Sequence, residues 1–244
     1  MKIALAQIQP HQGNISQNSH IHQKFIRLSI IQKVDLIAFP ELSLTGYEPK
    51  LAHQLSQDIE SNIFDIFEQM SHQYSITITL GCPLKIPENP TKPQIGMLIF
   101  QPDKARKSYA KQILHSDEIP YFVAGKTSTY FFVQTQKITP AICYESLIQK
   151  HAQNAFENGT RIYLASVAKS ENGLQKAMQH YSKIAQKYKF MVVMVNNVGH
   201  CSDFKSAGKT AIWDQTGNLI TQLHNTEELL IFDTQTRKTL IKTR

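Results

Sequence analysis

The chain has 244 residues, 41% hydrophobic and 18% charged, with 10 Gly and 10 Pro, which excludes wholesale disorder and is long enough to bury a core without disulfide staples. Lys and Arg outnumber Asp and Glu by 26 to 19, and the net charge of +7 suits nucleic acid, an anionic membrane surface or an acidic substrate. Only 3 cysteines, without close spacing, exclude a disulfide framework or a Cys-rich zinc site and leave open a single reactive thiol in a reducing compartment.

Residues 1–6 imitate the start of a signal peptide, but Gln7, Gln9, His11 and Gln12 cut the apolar run short, so the segment reads as a first strand and the protein as cytoplasmic. Ile21, Phe25, Leu28 and Ile31 recur at helical spacing, and residues 34–39 return to a strand. Ile59, Ile63, Ile66, Phe67 and Met70 mark a second helix, followed by a strand at 76–80 that Gly81 closes. Two βα units in succession favour an α/β fold. Pro83, Pro87, Pro90 and Pro93 predict an exposed excursion between strands over 83–94, with strand patterning resuming at 95–100. Beyond it, strands are expected at 130–133 and 138–142, a helix near 145–156, a strand at 162–165, a helix near 175–188 and a strand at 190–195. Residues 211–213 and 219–220 read as a hairpin around a turn at 214–218, and 229–232 as one more strand. The last eight residues carry Arg237, Lys238, Lys242 and Arg244 and read as a solvated tail. No stretch approaches the ~18 apolar residues of a membrane span, and no hinge divides residues 1–244, which read as one domain.

Cys143 ends the apolar run 138–142 and precedes Tyr144, Glu145 and Ser146, a position on a sharp turn between a strand and a helix N-terminus. A helix N-terminus and a nearby cation lower a thiol pKa from ~8.5, and backbone N–H groups at such a turn can receive an oxyanion. A buried structural cysteine fits the same position. Glu41 follows the strand at 34–39 through Pro40, and loops at strand carboxyl ends are where open α/β sheets hold ligands. Partial desolvation there raises a carboxyl toward the pKa of a working base, although a helix cap or surface acid is the simpler reading of Glu41 taken alone. Lys111, with Glu118 shortly after it, can fix a substrate carbonyl oxygen and stabilise its negative charge while the carboxylate orients the ammonium.

The rival residues carry weaker patterns. Cys82 and Cys201 have no helix start after them, and Cys201 is expected to be structural or to border the pocket. His20 and His22 stand two apart in a helix, off a common face, so solvated or capping roles are expected instead of metal ligation. His115, His180 and His200 offer no ranked partner for a Cys–His pair, and Trp213 reads as a core or interface residue.

Glu41, Lys111 and Cys143, in this order and at these separations, resemble the carbon–nitrogen hydrolase superfamily, the nitrilase-like amidases. The stretches that carry the likeness are 35–41 with Thr45, Gly46 and Tyr47, then 111–118, 142–145, 196–199 and 206–218. The resemblance implies a four-layer α-β-β-α sandwich that pairs through its helical layers into a homodimer or a higher homo-oligomer. It implies Glu41 as general base, Cys143 as nucleophile, Lys111 as stabiliser of the tetrahedral intermediate, and Glu118, Tyr47 and Tyr144 as residues that position the substrate. The reaction implied is hydrolysis of a small amide or carbamoyl compound through a cysteine thioester, with no metal, no cofactor, and neither nucleic acid nor membrane as partner. Residues 145–150 and 184–188 depart from the usual family runs, leaving the subfamily open, and Tyr144 in place of the Trp usual in nitrilases favours amides over nitriles. Transfer of the acyl group to an amine is an alternative, as is a basic binding protein that kept the fold without the chemistry. The length of 244 residues matches a stand-alone catalytic domain of this family, with no room for an appended synthetase domain.

Overall fold

Along residues 2–8, Ile3 and Leu5 point to one side and Ala4, Ala6 and Ile8 to the other, and all are buried. A strand buried on both faces needs a layer against each, so this short segment already demands more than a one-sided sheet. The computed structural model describes residues 1–243 and supplies those layers.

In chain order its first half contains β1 (Lys2–Gln7), α1 (Ile15–Ile31), β2 (Leu36–Ala38), α2 (Ala52–Leu55), α3 (Asp65–Tyr74), β3 (Thr77–Ile86), β4 (Asn89–Phe100) and β5 (Lys107–Ala110). There follow β6 (Phe131–Val133), β7 (Gln136–Ile142), α4 (Gln149–Glu157), β8 (Ile162–Val167), α5 (Glu171–Tyr188) and β9 (Met191–Asn196). The last part holds β10 (Val198–Cys201), β11 (Phe204–Ala207), β12 (Ala211–Trp213), β13 (Leu219–Gln222), β14 (Glu228–Asp233) and β15 (Thr239–Thr243).

One large sheet runs β15-β14-β1-β2-β3-β4-β5, a second runs β13-β12-β9-β8-β7-β6, and β10 with β11 forms a separate two-stranded ribbon. The centre of each is parallel, β1, β2 and β3 in the first and β7, β8 and β9 in the second, as βαβ crossovers require. Between the sheets lies one core, in which Ile3, Leu5, Leu36 and Met97 meet Ile138, Ile142, Leu164 and Val193. Phe25 of α1 and Phe67 of α3 cover the outer face of the first sheet, and Leu174 and Tyr181 of α5 cover that of the second. The architecture is therefore the four-layer α-β-β-α sandwich. Trp213 is a core residue, its ring 5.4 Å from that of Tyr181.

Several local expectations need correction. Gly81 does not close β3, which runs on through Cys82 and Pro83, and residues 83–94 largely form the far end of a β3–β4 hairpin. Proline is tolerated there because β5 pairs with β4 only from Gly96 to Ile99, leaving the hairpin end without that neighbour. The carbonyls of Pro83 and Pro93 still accept bonds from Gln57 and Val123. Residues 239–243, expected as a tail, are the edge strand β15, antiparallel to β14 and exposed along its length, while Arg244 lies outside the described residues. No helix among the described residues is long and apolar enough to cross a membrane.

Candidate active site

The parallel strands β2 and β7, one from each sheet, end side by side. Ser166 Oγ donates to the carbonyl of Phe39 at 3.0 Å, and Asn197 Nδ2 to the carbonyl of Glu41 at 3.1 Å, so the loop after β2 is pinned to the second sheet. Beneath it passes Gly81, where an added Cβ would stand 2.2 Å from the Leu42 nitrogen and 2.8 Å from the Pro40 oxygen. Only glycine lets β3 approach the Glu41 loop this closely.

Glu41 is buried at the end of that loop. Its Oε1 accepts a bond from Lys111 Nζ at 2.9 Å, and its Oε2 has no hydrogen-bond partner among the described residues. Burial pushes its carboxyl pKa above the ordinary range, with the positive charge of Lys111 opposing. Lys111, immediately after β5, is completely enclosed and also donates to Glu118 Oε1 at 2.6 Å. Burial works against its charge, but Glu41, Cys143 and Glu118 outweigh that and leave the ammonium held above its usual range. Glu118 is oriented in turn by the Tyr47 hydroxyl, which donates to Oε1 at 3.0 Å, and by the His115 amide, which donates to Oε2 at 2.7 Å.

Cys143 follows β7 in a left-handed conformation, φ 49°, that a non-glycine residue rarely adopts. It opens a 3₁₀ turn, Cys143–Leu147, and the α-helix expected from the sequence begins only at Gln149. The thiol is accordingly not depressed as expected but pushed up to about 11, by burial and then by the Glu41 charge, with Lys169 and Lys111 opposing. At neutral pH it is protonated, so any nucleophilic role calls for a base.

A cleft of about 410 Å³ opens onto this sulfur, lined by Tyr47, His115, Asp117, Glu118, Tyr144, Leu147, Ala168, Lys169, Ser170, Gly173, Lys176 and Phe204. All six residues expected at a site thus converge here, with Glu41 and Lys111 enclosed beneath. Glu145, which the sequence places both in the stretch 142–145 that carries the family likeness and at the start of the departing run 145–150, is fully buried and ties the two halves together. Its Oε1 accepts from the Ile142 amide and the Tyr109 hydroxyl, each at 2.7 Å, and its Oε2 from the Gln112 amide at 2.6 Å. Lys169 also went unrecognised, although its place just beyond β8 was the available signal. Its Nζ lies 3.7 Å from Cys143 Sγ.

The rival cysteines fall away from the cleft, whereas His115 lines it. Cys82 is buried in the outer core with its thiol pKa raised by burial, and Cys201 is buried in the core between the sheets, pushed up to about 12. Cys201 does not line the cleft. His22 is neither solvated nor a cap but buried, with its ring nitrogens 2.7 Å from the Asn18 carbonyl and 2.9 Å from Ser43 Oγ, and burial lowers its pKa to about 4.

Comparison with known proteins now bears on this geometry. The family model described as carbon-nitrogen hydrolase matches residues 2–244. The chain belongs to the carbon–nitrogen hydrolase family. Among curated relatives of this family, it is 25% identical over 237 residues to a glutamine-dependent NAD(+) synthetase of Acinetobacter baylyi, covering 95% of this chain and 43% of that protein. A second such synthetase, from Synechocystis, is spanned over 27% of its length, so the chain matches less than half of either. A Staphylococcus aureus protein named hydrolase in agr operon is 20% identical and covered over 90%. Among solved structures, the carbon–nitrogen hydrolase superfamily protein XC1258 of Xanthomonas campestris has a TM-score of 0.88 at 18% identity, over 98% of this chain and 90% of that one. An amidase of Nesterenkonia sp. has a TM-score of 0.86 at 19% identity, over 95% and 89%. At these identities the structural likeness speaks to the fold.

Proposed function

We propose that this member of the family is an amidase, a thiol-dependent hydrolase that converts a small amide to a carboxylic acid and ammonia or an amine. The observation that carries this reading is the buried chain of contacts Glu41–Lys111–Glu118, at 2.9 and 2.6 Å, set against Cys143 at the floor of an open cleft. Glu41 takes the thiol proton as Sγ attacks the carbonyl carbon. Lys111, with the Tyr144 amide at the start of the 3₁₀ turn, holds the developing oxyanion. Glu41 returns the proton to the nitrogen as the C–N bond breaks, leaving a thioester on Cys143. Water, deprotonated by Glu41, attacks the thioester, and the leaving sulfur recovers that proton. Among the structures of similar fold, an amidase of Nesterenkonia sp. AN1 was solved as a variant in complex with butyramide, which supports small aliphatic amides as first probes.

Two further proposals accompany this reading. Residues 1–244 act as one catalytic domain, supported by a core shared by both sheets. Two copies pair through their helical layers, supported by Phe156, which is 49% exposed on α4. Light scattering should give twice the 27.8 kDa chain mass, and a monomer at all concentrations overturns the pairing.

The activity is tested by intact-protein mass spectrometry during turnover of a small amide panel. The expected result is an acyl adduct on Cys143 and complete loss of hydrolysis in Cys143→Ala. Full activity in that variant overturns the assignment.

A further inference from the structure

The hydrogen bonds around Glu145 continue away from the cleft. Its Oε1 accepts from the Tyr109 hydroxyl at 2.7 Å, the Tyr109 oxygen lies 3.2 Å from His151 Nε2, and His151 Nδ1 lies 2.7 Å from the Tyr163 hydroxyl. The four groups come from four elements: the 3₁₀ turn after β7, then β5, α4 and β8. Tyr109, His151 and Tyr163 stand outside the cleft lining, and the reaction proposed above uses none of them. Tyr109 and His151 instead line a separate cavity of about 120 Å³, together with Thr139, Asn154 and Tyr130. Tyr130 is 48% exposed, so this cavity reaches the surface, and it shares no lining residue with the cleft.

The chain of bonds has two self-consistent settings. Burial lowers the His151 pKa to about 4, so at neutral pH the ring is uncharged and carries its one proton on either nitrogen. When Glu145 is ionised, it accepts from the Ile142 and Gln112 amides and from the Tyr109 hydroxyl. The Tyr109 oxygen then accepts from Nε2–H, and Nδ1 accepts from Tyr163. A protonated Glu145 needs an acceptor, and the other groups bonded to it among the described residues are backbone amides, which only donate. Its proton must face the Tyr109 oxygen, so the Tyr109 hydroxyl turns to a bare Nε2 and the His151 proton stands on Nδ1, facing Tyr163. The two settings differ by one proton, taken up from solvent, and only Glu145 changes its charge. Lys111 also acts on Glu145 and favours the ionised setting, while Tyr163 faces Tyr181 of α5.

We propose that Tyr109 and His151 are positioning residues for the reaction at Cys143: they give Glu145 a proton-bound setting, in which its hold on the Ile142 and Gln112 amides slackens. A neutral carboxyl is a weaker acceptor than a carboxylate, so the Cys143 turn and the segment carrying Lys111 are held in register only when Glu145 is ionised. The effect on turnover rests on the amidase reading above; the proton on Glu145 does not. Turnover should rise with pH as Glu145 ionises, through kcat and not KM, because none of these groups lines the cleft.

The experiment follows the Glu145 carboxyl by carbon-13 NMR titration in the wild-type protein, in His151→Phe and in His151→Gln, with the signal assigned by its absence in Glu145→Gln. Each variant is checked for folding by thermal unfolding, and kcat and KM for butyramide are measured over about pH 5 to pH 9. In the wild type the midpoint should lie at about 7. His151→Phe deprives the protonated setting of its terminal acceptor, so the midpoint should fall by ~0.5–1 pH unit, as the loss of one hydrogen bond of ordinary strength implies. The acid limb of kcat should move with it while KM stays within about twofold. His151→Gln, whose amide both donates and accepts, should restore both. A midpoint that stays in place in His151→Phe, or shifts equally in His151→Gln, overturns the proposal, as does a shifted midpoint that the kcat limb does not follow. If no amide is turned over, the rate of Cys143 alkylation by iodoacetamide replaces kcat. A step in that rate at the Glu145 midpoint, displaced in His151→Phe, upholds the positioning role although the amidase reading has failed, and a rate indifferent to His151 overturns it.

Discussion

In the proposed reaction Glu41 acts as a base while one of its oxygens is committed to an ammonium 2.9 Å away. Burial raises its proton affinity, Lys111 lowers it, and the second oxygen is left without a partner, so one lone pair is available for the thiol proton. Cys143 answers this arrangement. Its thiol is pushed up to about 11 by burial and by the Glu41 charge, which keeps it neutral at ordinary pH. Replacing Glu41 by Gln removes that charge while burial and Glu118 still oppose Lys169 and Lys111, so the thiol pKa should fall. The pH midpoint of iodoacetamide alkylation should move below 11 while amide turnover drops by ~10²-fold or more. A midpoint that does not move shows that Glu41 does not act on the sulfur. At this scale much of the site was legible, because Glu41 and Cys143 each follow an apolar strand and are chemically unusual there. Lys169 was not, since one Lys among 26 basic residues says nothing of whether a carboxylate faces it, and that depends on the fold.

The elements meet through Glu145. It anchors the Ile142 amide at the end of β7 and the Gln112 amide just past Lys111, so a single carboxyl fixes the Cys143 turn relative to the segment carrying the ammonium. Burial raises its pKa from 4.5 to about 7, against the four donors that surround it. The folded state therefore holds this proton more tightly than the unfolded chain. That contribution is present in full below about 4.5 and is lost as pH rises through about 7, a span on the order of 3 kcal/mol. Urea unfolding of Glu145→Gln at pH 5 and pH 8 should show this component of the slope removed, together with reduced turnover from the loosened turn. An unchanged slope means that Glu145 does not titrate in this window. The βαβ rhythm that builds both sheet centres was legible from periodicity. The β3–β4 hairpin was not, because proline signals a break only where a strand needs its missing N–H, and pairing partners decide that. For the same reason β15 read as a tail: its residues are all exposed, and it is a strand only because the β14 edge was vacant.

Across the whole molecule, the +7 charge opened three functional classes, and at the cleft it is represented by two buried cations, Lys111 and Lys169, whose charges act on Cys143. The two sheets each supply part of the proposed reacting set: the first carries Glu41 and Lys111, the second Cys143, with Lys169 beside it. What joins them near the chemistry is a handful of bonds, Ser166 to Phe39, Asn197 to Glu41 and Tyr109 to Glu145, laid over an apolar interface that has no direction of its own. Those few bonds make the catalyst a gauge of sliding between its two halves. A shift of ~1 Å between reacting groups can cost ~10²-fold in rate, while a greasy interface tolerates the same slip with little loss of burial. In a denaturant series, hydrolysis should therefore fade at lower concentrations than the far-ultraviolet circular dichroism, and coincident transitions would show the two halves to be locked as one. Turnover reads the alignment of the halves long before it reads their unfolding.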